Sequence, residues 1–213
     1  MIISELFRSI QGESSFAGLP CTFIRTAGCS LRCSYCDTDY ALSKKSGVEM
    51  ELDEVLARVR HLGMDLVELT GGEPLEQEET PELCKRLLRE GAKVLIETGG
   101  HKRIDVLPAE VIKILDIKTP SSRMAPQNDW HNLNALSPED EVKFVICNRE
   151  DFDWSMTVCE EYGLFGRQTI LFSPGFETLQ YATLAHWILE EKIPVRMQLQ
   201  IHKFIWSPTA RGV

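Results

Sequence analysis

The stretch that decides the fold reads GCSLRCSYCDT and occupies residues 28–38. It brings three thiols, Cys29, Cys33 and Cys36, into one short loop with the spacing C-x3-C-x2-C. A closed structural zinc site takes four protein ligands, and an ordinary four-iron cluster is held by four thiolates. Three thiolates would leave one iron of such a cluster open to a small molecule. The spacing favours that open cluster, while a zinc site completed by a distant ligand and three buried apolar cysteines remain alternatives.

Composition limits the function classes. The chain has 213 residues, of which 43% are hydrophobic and 26% charged, as expected for one globular domain covering residues 1–213. A net charge of −9 argues against general binding to nucleic acid backbones. Neither a membrane-spanning apolar run nor a signal peptide is evident, so we expect a cytoplasmic protein without membrane contact.

Seven cysteines with three clustered indicate metal binding rather than a disulfide framework. The other four are predicted to be small core residues, namely Cys21, Cys84, Cys147 and Cys159.

Strand and helix patterns alternate along the chain. Strands are predicted over 2–7, 21–26, 65–70, 92–97, 111–117, 141–146, 168–172 and 195–201, and helices over 53–62, 81–89, 152–162 and 178–191. This alternation predicts an α/β fold with a largely parallel sheet. A full eight-unit barrel takes about 250 residues. We therefore expect an abbreviated partial (β/α) barrel of about six mostly parallel strands, with its site where Gly, Pro and polar residues follow the strands.

Several polar residues stand beside these predicted strands. Gln11 and Glu13 flank Gly12, which suits either a solvated turn or the rim of a polar pocket. Arg25 interrupts an apolar strand, where it either extends to the sheet edge or holds an anion with both terminal nitrogens. Glu97 lies at a strand end and is a candidate general base, or an ordinary strand-end carboxylate.

Two motifs together resemble a known superfamily. The pattern C-x3-C-x-aromatic-C, with Tyr35 as the aromatic residue, resembles the signature of radical S-adenosylmethionine (SAM) enzymes. The sequence TGGEP at residues 70–74 is similar to the SAM-binding element of that superfamily. The resemblance implies that SAM chelates the open iron and that an electron from the cluster splits its C–S bond into a 5′-deoxyadenosyl radical.

A narrower resemblance covers nearly the whole chain. The segments FRSIQGE (7–13), FIRTAGC (23–29), CDT (36–38), DIKTPSS (116–122) and LQIHK (199–203) resemble the 7-carboxy-7-deazaguanine synthase family. That family converts 6-carboxy-5,6,7,8-tetrahydropterin to 7-carboxy-7-deazaguanine with loss of ammonia, on the route to queuosine-type deazapurines. The resemblance implies a [4Fe–4S] cluster, SAM and Mg²⁺ as cofactors, a homodimer, and an electron donor such as flavodoxin or ferredoxin.

The resemblance also implies roles for individual residues. The implied cluster ligands are Cys29, Cys33 and Cys36. The implied SAM contacts are Tyr35, Cys36, Asp37, Gly72, Glu73, Thr119, Pro120, Ser121, Ser173, Pro174, Gly175 and Phe176. The implied substrate contacts are Ile10, Gln11, Gly12, Arg25 and Thr70, and Thr38 is the implied Mg²⁺ ligand. The chain departs from some members by continuing past Pro208, so no role is assigned to its last residues.

Two rival functions stay open at this point. Another small radical SAM enzyme, such as a glycyl-radical activase, would share the three cysteines and the GGE element but would not need the segment SIQGE or Arg25. A non-catalytic zinc or iron–sulfur module would leave TGGEP and KTPSS without an explanation.

Overall fold

The computed structural model describes residues 1–63 and 65–213. Within them, nine strands form one sheet: β1 Ile2–Ile10, β2 Pro20–Thr26, β3 Val48–Glu49, β4 Leu66–Gly71, β5 Lys93–Thr98, β6 Ile112–Ile117, β7 Glu141–Ile146, β8 Thr169–Pro174 and β9 Arg196–Met197. Their order is β3-β1-β2-β4-β5-β6-β7-β8-β9. Pairing is parallel from β2 to β9, and only β1 runs antiparallel to its neighbours β2 and β3. The α/β class with a mostly parallel sheet is confirmed, because six strands, β2 and β4 to β8, form its parallel centre. Of the other three strands, only the short edge strand β3 was not predicted.

Five α-helices lie in the described part of the chain: α1 Leu52–Leu62, α2 Thr80–Arg89, α3 Arg149–Glu161, α4 Tyr181–Glu191 and α5 His202–Ile205. Gly63 ends α1 in the left-handed conformation with φ 67°, which a residue with a side chain rarely adopts. Short 3₁₀ turns lie at Asp39–Ala41, Lys44–Ser46, Pro74–Glu76, Pro120–Ser122, Ala125–Gln127 and Trp130–Asn134. The connections from β5 to β6 and from β6 to β7 contain no α-helix, since they are made of turns. This is where the barrel is abbreviated.

The predicted strand over 195–201 is wrong beyond Met197. Only Arg196 and Met197 pair with β8. The next residues turn their side chains to the loop after β1, since Gln198 Oε1 accepts the backbone N–H of Ser14 at 2.7 Å. Gln200 Nε2 donates to Glu13 at 2.8 Å. These side-chain bonds replace the ladder that a longer strand would form.

The two faces of the sheet carry different residues, because side chains alternate along each strand. One face packs on the helices, with Leu69 and Ile96 in the cluster under α1 and α2, and Phe144 and Phe172 in the cluster under α3 and α4. The other, inner face has an apolar lower layer made of Cys21, Phe23, Leu66, Leu95, Ile112, Ile114 and Leu171. Beyond this layer the inner positions of the same strands become polar, so the site lies directly above it.

Three of the four scattered cysteines are buried as predicted, namely Cys21, Cys84 and Cys159, while Cys147 is half-buried. Across residues 1–63 and 65–213, the structure has no helix with the length and apolar character needed to span a membrane.

Candidate active site

A cavity of about 400 Å³ opens on the inner face, at the carboxyl ends of the parallel strands. Parallel α/β enzymes build their sites at this edge, because loops from several strands meet there. Eighteen of the residues singled out in the sequence line it: Ile10, Gln11, Gly12, Arg25, Cys29, Cys33, Tyr35, Cys36, Asp37, Thr38, Thr70, Gly72, Glu73, Glu97, Ser173, Pro174, Gly175 and Phe176. The fold therefore brings together segments that lie far apart in the chain.

The three cysteines of the loop at residues 28–38 (the cysteine loop) are free, half-buried thiols at the cavity wall. Burial raises the pKa of the Cys29 thiol to about 11, so a cationic centre is needed to hold it as a thiolate. Among the described residues, no three His, Cys, Asp or Glu side chains converge on a single metal ion, as a zinc site requires. In a four-iron cluster each thiolate binds a different iron, so this ligand set fits the cluster.

Two serines of the cysteine loop form hydrogen bonds that hold it in place. The backbone N–H of Ser30 donates to Glu76 at 2.7 Å, and Ser30 Oγ lies 3.1 Å from His101 Nε2. Ser34 donates its N–H to the carbonyl of Ser122 at 3.1 Å and its hydroxyl to that of Ser121 at 2.6 Å. Sequence reasoning missed Glu76 and His101, because nothing local pairs them with the loop.

The turn after β6 stands behind the cysteine loop. The structure places Thr119, Pro120 and Ser121 outside the cavity lining, so their contact with SAM stays a prediction. Asp151, on the first turn of α3, accepts the N–H of Ser121 and the N–H of Cys147, both at 2.9 Å. This fully buried carboxylate joins the end of β7 to the turn after β6, which holds Ser34.

The TGGEP segment packs directly against the cysteine loop. A Cβ at Gly72 would lie 2.2 Å from the carbonyl oxygen of Gly28, so only glycine fits. The buried Glu73 carboxylate accepts hydrogen bonds from Leu75 N at 3.0 Å, Thr98 Oγ1 at 2.7 Å and Gly99 N at 2.8 Å. These donors hold an anionic acceptor in the cavity wall, where it can meet a ligand cation.

Arg25 is oriented by two residues that sequence reasoning missed. Its Nε donates to Glu5 at 2.8 Å, and the hydroxyl of Tyr40 donates to the same carboxylate oxygen at 2.7 Å. Its Nη1 lies 3.5 Å from the hydroxyl of Thr38. Because Glu5 takes Nε, the terminal nitrogens of the guanidinium are turned to the cavity, as required to bind a carboxylate.

A buried cation connects two carboxylates on the cavity floor. Lys143, on β7, binds Glu97 at 2.5 Å and also binds Glu13. Burial raises the pKa of the Glu97 carboxyl above its ordinary value, although the Lys143 ammonium opposes this. The sequence carries a signal for Lys143, because a charge stands in the middle of a buried strand.

The segment after β9 closes one side of the cavity. Lys203 binds Asp37 at 2.8 Å, and its ammonium lies 4.5 Å from the centre of the Phe176 ring. Burial alone would raise the pKa of Asp37, but the Lys203 ammonium holds it well below its usual range. Residues 207–213, to which the sequence assigned no role, also line the cavity, and the Arg211 guanidinium lies 3.8 Å from the centre of the Tyr40 ring.

Comparisons with known proteins agree with this geometry. The Radical SAM superfamily matches residues 23–188. A 7-carboxy-7-deazaguanine synthase of Koribacter versatilis is 42% identical over the full length of both chains. One of Chlorobaculum tepidum is 45% identical over 99% of this chain and 96% of its own.

The fold has a close structural counterpart. QueE from Escherichia coli matches 92% of this chain and 93% of its own with a TM-score of 0.76, at 21% sequence identity. Streptococcus suis SuiB matches 83% of this chain but 48% of its own, with a TM-score of 0.57. Full-length identity above 40%, the superfamily match and the cysteine loop at the cavity wall lead to one conclusion: the chain belongs to the radical SAM superfamily and, within it, to the 7-carboxy-7-deazaguanine synthase family.

Proposed function

We propose that this chain, acting as one unit over residues 1–213, converts 6-carboxy-5,6,7,8-tetrahydropterin to 7-carboxy-7-deazaguanine with loss of ammonia. Superfamily membership implies a [4Fe–4S] cluster and SAM, which supply a hydrogen-abstracting radical when bound. The observation that carries the proposal is a single cavity lined by both the three cysteines and the Arg25–Gln11 pair. The first set suits the cofactor, and the second suits a planar, carboxylated substrate.

On the cofactor side, the protein supplies ligands and orientation. Cys29, Cys33 and Cys36 would hold the cluster, and the fixed carboxylate of Glu73 would accept the amino group of SAM. Further SAM contacts are assigned to the other cavity residues inferred from the resemblance, namely Tyr35, Asp37, Gly72, Ser173, Pro174, Gly175 and Phe176. The turn at Thr119, Pro120 and Ser121 supports this side through its bonds to Ser34.

On the substrate side, Arg25 binds the carboxylate of the pterin with its terminal nitrogens, and Gln11 faces the ring edge. Ile10, Gly12 and Thr70 complete this wall. Thr38, whose hydroxyl lies beside Arg25, would hold Mg²⁺, which would supply further positive charge to this wall of the cavity. Glu97 accepts the proton in the late deprotonation step, since its raised pKa places it nearer to neutral pH than an ordinary carboxylate.

Two further parts of the proposal concern partners. The electron donor is a small one-electron carrier such as flavodoxin or ferredoxin, and the protein functions as a homodimer. Both follow from family membership, and they predict that activity requires a reduced carrier and that the purified protein sediments as two chains.

The test is anaerobic reconstitution with iron and sulfide, followed by reduction and addition of SAM and 6-carboxytetrahydropterin. The readouts are 7-carboxy-7-deazaguanine by mass-resolved chromatography and 5′-deoxyadenosine in the same samples. Cys29→Ser, Cys33→Ser and Cys36→Ser should each abolish both products, while Cys84→Ser, at a buried position between helix and sheet, should keep them. Omitting Mg²⁺ should lower deazaguanine formation.

Arg25→Ala separates this function from its nearest rival. It should lose deazaguanine formation and keep SAM cleavage, because its role concerns the substrate carboxylate alone. SAM cleavage by the wild type without deazaguanine would reject the substrate and favour another radical SAM reaction. Bound zinc with no SAM cleavage would reject the enzyme altogether.

A further inference from the structure

One carboxyl group of the cavity has no place in the function described so far. Glu68 stands in the middle of β4, between Phe23 of β2 and Leu95 of β5. It shares the inner face with Thr70, lines the cavity and is only 2% exposed. An acidic residue at such a position disfavours folding unless something compensates for its burial.

Three cations that line the cavity are already paired with other carboxylates. Arg25 binds Glu5 at 2.8 Å, Lys118 binds Asp116 at 2.8 Å, and Lys143 binds Glu97 at 2.5 Å. Within residues 1–63 and 65–213, no Lys, Arg or His nitrogen forms an ion pair with Glu68. Burial raises the pKa of the Glu68 carboxyl well above its usual range. The nearby Glu97 and Glu13 carboxylates add to the rise, and the Lys143 and Arg25 cations oppose it.

One neutral side chain meets this carboxyl. The amide nitrogen of Gln11 donates to Glu68 Oε2, and Gln11 Oε1 accepts the N–H of Glu13 at 2.7 Å. The two bonds fix which end of the Gln11 amide points to Glu68. In the described part of the chain, no donor reaches Glu68 Oε1, so one acceptor oxygen of a buried group is left for a ligand.

We infer that Glu68 is a specificity-determining residue, which accepts an N–H of the amino-pyrimidinone edge of the substrate beside the contact with Gln11. The inference rests on the proposed function, because a pterin carries this edge. An amino group next to a ring N–H presents donors in a row, and a carboxyl oxygen is the complementary acceptor. A site built to bond such a group rejects analogues that lack it, because its own acceptor is then left unpaired.

The test compares two ligands on the reconstituted protein with SAM bound. The probes are 6-carboxypterin and the same compound without its 2-amino group, and binding is measured by calorimetry. Wild type should prefer 6-carboxypterin by about 10- to 100-fold, the worth of one hydrogen bond to a buried acidic group. Glu68→Gln should reduce this preference to about 2-fold or less, since its one oxygen cannot face both Gln11 and the ligand.

The matched control is Glu141→Gln. Glu141 is equally buried on the same face but lies below the cavity, where it accepts the N–H of Ser15 at 3.1 Å. This variant should keep the wild-type preference for 6-carboxypterin. A Glu68→Gln protein that discriminates between the two ligands as well as wild type does would overturn the inference.

The melting temperature is a second readout, because replacing a residue that only supports the fold would not raise it. Glu68→Met replaces a buried acid that has no ion-pair partner by an apolar chain of similar length, so the melting temperature should rise by about 2–4 °C. The same variant should lose the ligand preference. A lower melting temperature in Glu68→Met would assign Glu68 to the scaffold instead.

The two proposals fail in different ways. If wild type cleaves SAM but binds neither pterin, the proposed substrate is wrong before any variant is made. If wild type binds 6-carboxypterin and forms deazaguanine, while Glu68→Gln and Glu68→Met leave the preference unchanged, only the role of Glu68 is rejected.

Discussion

Asp151 provides the strictest test of how the cysteine loop is held in place. The substitution Asp151→Asn keeps the shape of the side chain and removes one of its two acceptor oxygens. In the wild type these oxygens accept the N–H groups of Ser121 and Cys147, both at 2.9 Å, and the residue is fully buried. The variant must turn an amide N–H₂ towards one of the two backbone donors.

The loss of folding stability in Asp151→Asn can be calculated from these two hydrogen bonds. A hydrogen bond to a charged group contributes about 1.5–3 kcal/mol, and a buried donor without a partner costs about 1–3 kcal/mol. Loss of one bond with one unpaired N–H therefore predicts a destabilisation of about 3 kcal/mol. For a chain of this size, about 3 kcal/mol corresponds to a decrease of about 6–12 °C in melting temperature.

The assay is thermal unfolding of the reconstituted protein, followed by circular dichroism without oxygen. Asp153→Asn on the same helix is the matched control, because its carboxylate is 58% exposed and pairs with Arg149 at the surface. An exposed pair of this kind contributes about 0–1 kcal/mol, so the control should melt within about 4 °C of wild type. If Asp151→Asn melts as close to wild type as the control does, the reasoning about this buried carboxylate is refuted.

Three more substitutions test the cavity. Glu5→Gln weakens the contact that orients Arg25, so KM for the pterin should rise about tenfold, or about 1.4 kcal/mol, with kcat changed less; an unchanged KM would contradict this role. Lys143→Met removes the cation that opposes the raised pKa of Glu97, so this pKa should rise further. The pH profile of kcat/KM should then move to higher pH, and a profile that stays in place would exclude Glu97 as the base. Gly72→Ala places a Cβ 2.2 Å from a backbone oxygen of the cysteine loop, so the iron content after reconstitution should fall at least several-fold. A full complement of iron would show that the loop can move aside.

Much of the framework follows from local patterns in the sequence. The predicted bounds of β7 agree with the observed Glu141–Ile146, since an apolar run between polar turns defines both ends. Helix α1 ends where Gly63 permits the left-handed conformation. Because carboxyl ends of parallel strands meet at one edge, the order of strands alone places the cysteine loop beside the TGGEP turn.

The contacts that complete the cavity could not be predicted in this way. Glu5 reaches Arg25 only because β1 is antiparallel to β2, with an irregular register next to Glu5. Lys143 and Glu13 are 130 positions apart and meet through the curvature of the whole sheet. The alternating pattern after Met197 predicts a strand that does not form, because glutamine side chains at alternate positions bond to a loop rather than to a partner strand. Such pairings depend on register and tertiary contacts, which single-sequence patterns do not contain.

One rule nevertheless connects three acidic residues of the cavity, and it can be applied to the sequence alone. Alternation puts every second residue of a strand on the same face, so the inner position after Leu66 is Glu68, the one after Leu95 is Glu97, and the one after Ile114 is Asp116. In each of these three strands an apolar residue is followed two positions later by an acid. This change from an apolar to an acidic residue marks the level along the strands at which the packed interior ends and the cavity begins. A charge at this level reduces stability unless a protein cation or a bound molecule compensates for it. The acid without a protein cation is therefore the one at which we expect a ligand contact, which is why Glu68 should affect substrate preference and stability in opposite directions.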